Sequence, residues 1–212
     1  MSEPLPDALP DDPLPLAAQW IEEATRAVRS ATAMALATVD AHGQATVRMV
    51  ICRSFDAAAG ALVFYTDRGS PKGRALEGTR RAAALFHWER FERQVRVEGP
   101  VTHVSEAESD RYWESRPLDA RLAAVASDQS RPIASRRAFL DRIETARRAH
   151  PRQPPRPARW GGYRIWAERV ELWAGQPGRA HDRAEWTRTL IPEERDAESF
   201  RGGPWRGSRL MP

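Results

Sequence analysis

Residues 33–66 read AMALATVDAHGQATVRMVICRSFDAAAGALVFYT, and this stretch decides the fold class. Ala33–Val39 is a short apolar run with the length of a buried strand. Asp40–Gly43 (DAHG) is a turn, since Asp and Gly accept backbone conformations that other residues avoid. Thr46–Ser54 (TVRMVICRS) returns as a second strand and Ala61–Thr66 (ALVFYT) supplies a third. Connections this short join antiparallel neighbours.

The same texture continues downstream in Ala82–Trp88 and Gln94–Val104, which points to an antiparallel barrel. Upstream, Leu16, Trp20, Ile21, Ala24 and Val28 have the spacing of an amphipathic helix, and residues 1–12 read as a flexible arm. Ser105–Glu108 is a capping box opening a helix to about Ser115, a shorter helix covers Leu118–Ala126, and Ser135 caps another toward Ala149. Strands at Gly162–Ile165, Arg169–Trp173, Glu185–Leu190 and Ser208–Met211 finish the chain. The expectation is a single mainly β domain over residues 13–212, with helices on its flank.

The bulk numbers exclude several classes. With 212 residues, 41% hydrophobic and 29% charged, the chain is long enough to bury a core and is not disordered. No run approaches the roughly 18 apolar residues of a membrane helix. The opening MSEPLPDALPDDPLP is acidic and proline-rich, so it reads neither as a signal peptide nor as an Arg-rich transit peptide. A single cysteine, Cys52, excludes an internal disulfide and fits a reducing cytoplasm. The net charge is +4, but Lys72 is the only lysine and the arginines are interspersed with acids, so no nucleic-acid surface is expected.

Standard cofactor motifs are absent. There is no G-x-x-x-x-G-K-[ST], no G-x-G-x-x-G and no G-x-S-x-G, and the five histidines lack metal-ligand spacing. What remains is polar residues at strand ends. Arg48–Arg53 is a strand whose polar members cannot all face the core. Thr66, Ser70 and Lys72 stand where a strand turns into a helix, which suits a phosphate because helix-start N–H groups add donors. Arg179, His181 and Arg183 share a face if that stretch is extended. Taken singly, each has a plain reading: turn residues at Thr66 and Ser70, core at Trp160 and Trp173, solvated arginines elsewhere. Composition and spacing by themselves reach a soluble barrel with an anion site.

In order, the runs DPLPLAAQWIEEA, AMALATVDAHGQATVRMVI, VFYT, KGR, ALFHWERFERQVRVEGPV, YWESRP, QSRPIASR, WGGYR, VELWAGQPGRAHDR and RLMP closely resemble the pyridoxamine 5′-phosphate oxidase family, from about Asp12 to Pro212. The resemblance implies an antiparallel split β-barrel, homodimeric, with two FMN sites at the subunit interface. It implies flavin contacts from Arg48, Met49, Val50, Ile51, Cys52, Arg53, Tyr65, Thr66, Ser70, Lys72, Gln94, Gln129, Ser130, Trp173 and Arg183. Arg53, Tyr112 and Arg116 would grip a substrate phosphate, with Arg179 and His181 as catalytic residues over the reacting carbon. The implied reaction is two-electron oxidation of a phosphorylated B6 vitamer, with dioxygen as final acceptor and hydrogen peroxide as product.

Three positions depart from the family pattern. Pro71 replaces an arginine beside Lys72, Arg53 replaces a lysine, and Ala120 replaces a serine at the substrate phosphate. The arm is also short for a lid. Two alternatives follow: a related flavin oxidase of secondary metabolism acting on a phenazine-type dihydro-aromatic, and a non-catalytic flavin- or heme-binding module on the same barrel.

Overall fold

A computed structural model of the chain describes residues 2–194 and 196–212, with Ala197 described by its backbone alone. Twelve strands and five α-helices follow in order: α1 (Leu14–Ala27), β1 (Ala33–Val39), β2 (Ala45–Ile51), β3 (Ser54–Asp56), β4 (Ala61–Asp67), α2 (Pro71–Thr79), β5 (Arg81–Trp88) and β6 (Arg93–His103). Then come α3 (Glu106–Ser115), α4 (Leu118–Ala126), α5 (Arg136–Ala149), β7 (Trp160–Trp166), β8 (Arg169–Ala174), β9 (Asp182–Thr187), β10 (Leu190–Glu193), β11 (Asp196–Gly202) and β12 (Arg206–Leu210).

The main sheet has ten strands, ordered β12-β9-β8-β6-β5-β1-β2, with a branch in which β7 joins β6 to β4 and β4 pairs β3. Every pairing is antiparallel. The branch point lies on β6, whose residues Arg93–Glu98 pair with β8 while Val101–His103 pair with β7. Gly99 stands between the two halves. A Cβ there would lie 1.8 Å from the Trp166 carbonyl oxygen, so only glycine admits the backbone that crosses it. The sheet thereby splits and curls into the antiparallel split barrel.

Strict alternation builds the core. Leu36, Ala84, Phe86, Val95, Val97, Val170, Leu172, Ala184 and Trp186 are all buried on the inner face. Each large side chain buried there contributes about 1.5–3 kcal/mol relative to exposure. The helix starts follow the caps expected of them: Ser105 and Ser135 accept from the N–H groups of Glu108 and Ala138.

Several expectations need correction. The strand foreseen at Thr46–Ser54 is two, because β2 ends at Ile51 and the chain turns Cys52 into the core before β3. Leu190 belongs to a separate hairpin, β10–β11, that alternation in the sequence did not announce. Arg179 lies in a 3₁₀ turn, Pro177–Arg179, at φ +63°, so it shares no strand face with His181 and Arg183. Met1 lies outside the described residues, but the rest of the arm is seated on the sheet. Leu5 is buried, its N–H donates to Asp182 Oδ2 at 2.8 Å, and Trp186 Nε1 donates to the Pro10 carbonyl at 2.8 Å. Prolines remove donors from such a segment but leave its carbonyls free to accept.

Candidate active site

The turn from β4 into α2 sets the inner end of the site. Ser70 caps α2, accepting the Gly73 N–H at 3.3 Å, and Pro71 occupies the first turn, where no N–H is needed. Gly73 is forced: a Cβ would lie 2.2 Å from the Arg68 carbonyl oxygen. This tight start buries Lys72. Its Nζ donates to Gln129 Oε1 at 2.6 Å, Thr66 Oγ1 at 3.1 Å and Ser70 Oγ at 3.2 Å. None of these acceptors carries charge. Asp67, the neighbouring acid, is engaged by Arg159 at 2.8 Å. Burial, then the charge of Arg48, push the Lys72 ammonium down to about 8, while Asp67 pulls the other way. Arg48 Nη1 is held by Thr38 Oγ1 at 2.8 Å and the Leu36 carbonyl at 3.1 Å. The Lys72 charge is thus met by neutral oxygens, while the acid beside it is engaged by Arg159.

The outer end is aromatic and cationic. Tyr65 stacks on Tyr112 at 4.1 Å and on Trp160 at 5.4 Å. Arg116 lies over Trp160 at 4.8 Å and Arg53 over Tyr112 at 5.5 Å. Burial and the like charges of Arg53 and Arg121 press the Arg116 guanidinium below its ordinary range, and its Nη1 is buried without a partner. Both ends open into one cavity of about 760 Å³. Of the residues singled out in the sequence, Arg48, Met49, Val50, Ile51, Arg53, Tyr65, Thr66, Lys72, Tyr112, Arg116, Gln129 and Ser130 line it. So do Trp160, Phe139, Ala120, Ala123, Ala124 and Ser127. The last four form one face of α4 and its end, at helical spacing. Of that small-residue stripe only Ala120 stands out in the sequence by its chemistry; helical spacing is the signal that adds Ala123, Ala124 and Ser127.

Other singled-out residues stand elsewhere. Ser70 supports Lys72 from beneath. Cys52 points into the core, its thiol pushed up to about 11 by burial, with Sγ donating to the Ser54 carbonyl. Gln94, Trp173 and Arg183 are direct neighbours across β6, β8 and β9, and His181 packs on Trp173 at 4.7 Å. Arg179 is exposed in its turn.

The Gln94–Trp173–Arg183 patch lies on the outer sheet face, whose far end is apolar. Val47 and Met49 of the end strand β2 are 69% and 63% exposed, beside Ile51 and Val39. An apolar strand face this open suits association or a ligand.

Residues 21–150 match the pyridoxamine 5′-phosphate oxidase family model. The chain belongs to the pyridoxamine 5′-phosphate oxidase family. Residues 160–212 match the pyridoxine 5′-phosphate oxidase C-terminal dimerisation region. A pyridoxine/pyridoxamine 5′-phosphate oxidase of Paracoccus denitrificans (strain Pd 1222) is 42% identical over 210 residues, covering 95% of this chain and 96% of its own. Another, from Ralstonia pickettii (strain 12J), is 48% identical over 169 residues, 79% of each chain. Among solved structures, PhzG from Burkholderia lata 383, in complex with tetrahydrophenazine-1-carboxylic acid, superposes with a TM-score of 0.85. It is 29% identical, covering 97% of this chain and 95% of its own. The family places the chain among oxidoreductases with the split-barrel fold, the fold built above from its strands. Among the described residues no helix is long and apolar enough to cross a membrane.

Proposed function

We propose that the chain works as a homodimer that binds FMN and oxidises pyridoxamine or pyridoxine 5′-phosphate to pyridoxal 5′-phosphate, with dioxygen as acceptor and hydrogen peroxide as product. One observation carries this reading: the cavity has two cationic ends, Lys72 with Arg48 inside and Arg53 with Arg116 outside, joined by an aromatic wall, and the acid that lines it, Asp67, is engaged by Arg159. That is the shape of demand made by two phosphates flanking stacked rings.

The residues fit the flavin. Lys72, Ser70, Thr66 and Arg48 would hold its phosphate, and the backbone from Met49 to Arg53, across the end of β2, with Tyr65, Gln129 and Ser130 would frame the ring. Bound FMN supplies the two-electron acceptor that no side chain here provides. The chain's own part is orientation and charge. Arg53, Tyr112 and Arg116 anchor the substrate phosphate, so the reacting carbon is placed by a contact remote from it. Gln94, Trp173 and Arg183 would complete the site from the second copy, with His181 packed on Trp173 and Arg179 in the turn before it, because in one copy none of them lines the cavity. An isologous pair built on the outer sheet face would cover the Val47–Met49 row and set each patch against the other copy's cavity. The single buried thiol suits the reducing cytoplasm.

The test is steady-state turnover of pyridoxamine 5′-phosphate with dioxygen by the FMN-loaded protein, with hydrogen peroxide measured alongside. The purified protein is expected to be yellow and dimeric and to produce aldehyde and peroxide one for one. A colourless monomer that takes up no FMN would sink the reading.

A second reading draws on Ala120 and on the likeness to PhzG, whose structure holds a tetrahydrophenazine carboxylate. Here α4 presents alanines to the cavity and the substrate is a hydroaromatic carboxylate. A holo-protein inert toward B6 phosphates but active on such a compound would favour it. The Ala120→Ser variant separates the two further. One added neutral hydrogen bond contributes about 0.5–1.5 kcal/mol, so kcat/KM for pyridoxamine 5′-phosphate is expected to rise two- to tenfold. A fall would show that the α4 face is shaped for an apolar ring instead.

A further inference from the structure

The two catalytic candidates, Arg179 and His181, sit in the connection between β8 and β9, outside the regular strands. Pro177, Gly178 and Arg179 are exposed, and Arg179 takes a left-handed backbone that a non-glycine residue disfavours. His181 nevertheless has a defined contact: its Nδ1 accepts the Gln176 N–H at 3.2 Å while its ring rests on Trp173.

What fixes this segment is the start of the chain. Gln176 Nε2 donates to the Ser2 carbonyl at 2.9 Å, and Arg93 Nε donates to the Ser2 hydroxyl at 3.3 Å. Asp182 Oδ2 accepts the Leu5 N–H at 2.8 Å, while Arg209 ties Asp182 to the Pro6 carbonyl, the latter at 2.7 Å. Ser2 and Leu5 are 8% and 3% exposed. The residues bracketing the turn and His181, Gln176 before and Asp182 after, are therefore both pinned by residues 2–6.

We propose that Ser2–Pro6 is a positioning strap for His181, acting through Gln176. A neutral imidazole whose Nδ1 accepts a hydrogen bond must carry its proton on Nε2. By holding the Gln176 backbone against Nδ1, the strap makes His181 present Nε2 to its surroundings as an N–H donor. This rests on the reading above that His181 stands over the substrate. Gln176 is a positioning residue, and the contact that transmits its effect is its side-chain amide on a buried carbonyl.

The experiment compares the FMN-loaded parent with Gln176→Glu, Gln176→Asn and a chain lacking residues 2–6. Gln176→Glu keeps the shape but replaces the donor by an acceptor facing the Ser2 carbonyl. Long-range proton–nitrogen spectra of the histidine side chains report the tautomer directly. The parent is expected to show unprotonated Nδ1 and protonated Nε2 at His181. Gln176→Glu and the shortened chain are expected to show both tautomers mixed, with kcat/KM for pyridoxamine 5′-phosphate down about tenfold, as for other residues that orient a site ligand, and FMN affinity unchanged. Gln176→Asn, which keeps the donor on a shorter stem, should recover part of both. An unchanged tautomer in Gln176→Glu overturns the proposal, whatever happens to the rate. If the shortened chain does not fold, Gln176→Glu decides alone. A parent inert toward B6 phosphates would defeat the functional reading while leaving the tautomer result to judge the strap.

Discussion

Lys72→Met is expected to weaken FMN binding ten- to a hundredfold and, at neutral pH, to make the flavin-free protein more stable. Both effects have one cause. The ammonium is buried among three neutral oxygens, beside the charge of Arg48, and holds its proton only up to about pH 8. A charge-assisted bond to phosphate contributes about 1.5–3 kcal/mol, which sets the loss in affinity. Without phosphate the same charge is a cost. The folded pKa is depressed below the ordinary 10.5, so between about pH 8 and 10.5 the unfolded chain holds more protons than the folded one. Stability of the flavin-free parent therefore gains from Lys72 as pH rises through that window, and the variant lacks this gain. Methionine keeps the stem packed, while Ser70 keeps its bond to the Asp67 carbonyl at 2.6 Å and Thr66 its bond to Gln129 at 3.0 Å. Quenching of flavin fluorescence gives the dissociation constant, and melting at pH 7 and pH 9.5 gives the rest. An unchanged dissociation constant would remove Lys72 from the site.

Arg116→Ala is expected to lower kcat/KM for pyridoxamine 5′-phosphate a hundredfold or more, with far less effect on unphosphorylated pyridoxamine. Removing one partner of a desolvated charge pair costs about 2–5 kcal/mol, because the other charge is left uncompensated. Arg116 is suited to that role by its unpartnered, buried Nη1 and its seat on Trp160. Arg53 is exposed over Tyr112 and can rehydrate, so its loss should matter less. The measurement is the ratio of the two specificity constants in parent and variant. Trp113 meets Trp160 edge-on at 4.9 Å and Arg116 lies over both rings, so equal loss on both substrates would mean that Arg116 props this pair and does not read phosphate.

Much of this was legible in residue order because alternation and capping are local. Leu36, Phe86 and Val95 face inward for the reason that their neighbours in sequence face outward, and Ser70, Ser105 and Ser135 announce their helices within four residues. The site was legible as a set of residue types, not as an arrangement. Nothing in spacing says that Gln129 reaches Lys72 from 57 positions away. The same limit hid the seating of the arm, where Trp186 meets the Pro10 carbonyl across 176 positions. The break after Ile51 was missed because Cys52 and Arg53 have ordinary strand chemistry; what turns them is the core waiting for the thiol. At Arg179 the charge pattern suggests a strand face, but the preceding Pro177 and Gly178 are turn-forming residues and prevail.

The split at Gly99 also bears on how the polypeptide is made. During synthesis residues 1–159 leave the ribosome first, and they contain β1 to β6 and all five helices. Yet both stretches of β6 that pair with β7 and β8, and the side of β4 that pairs with β7, wait for residues 160–174. Until those arrive, the nascent chain carries two strand edges that the finished sheet pairs, a state exposed to misassociation with other chains. The sooner residues 160–174 follow, the shorter those edges stay open.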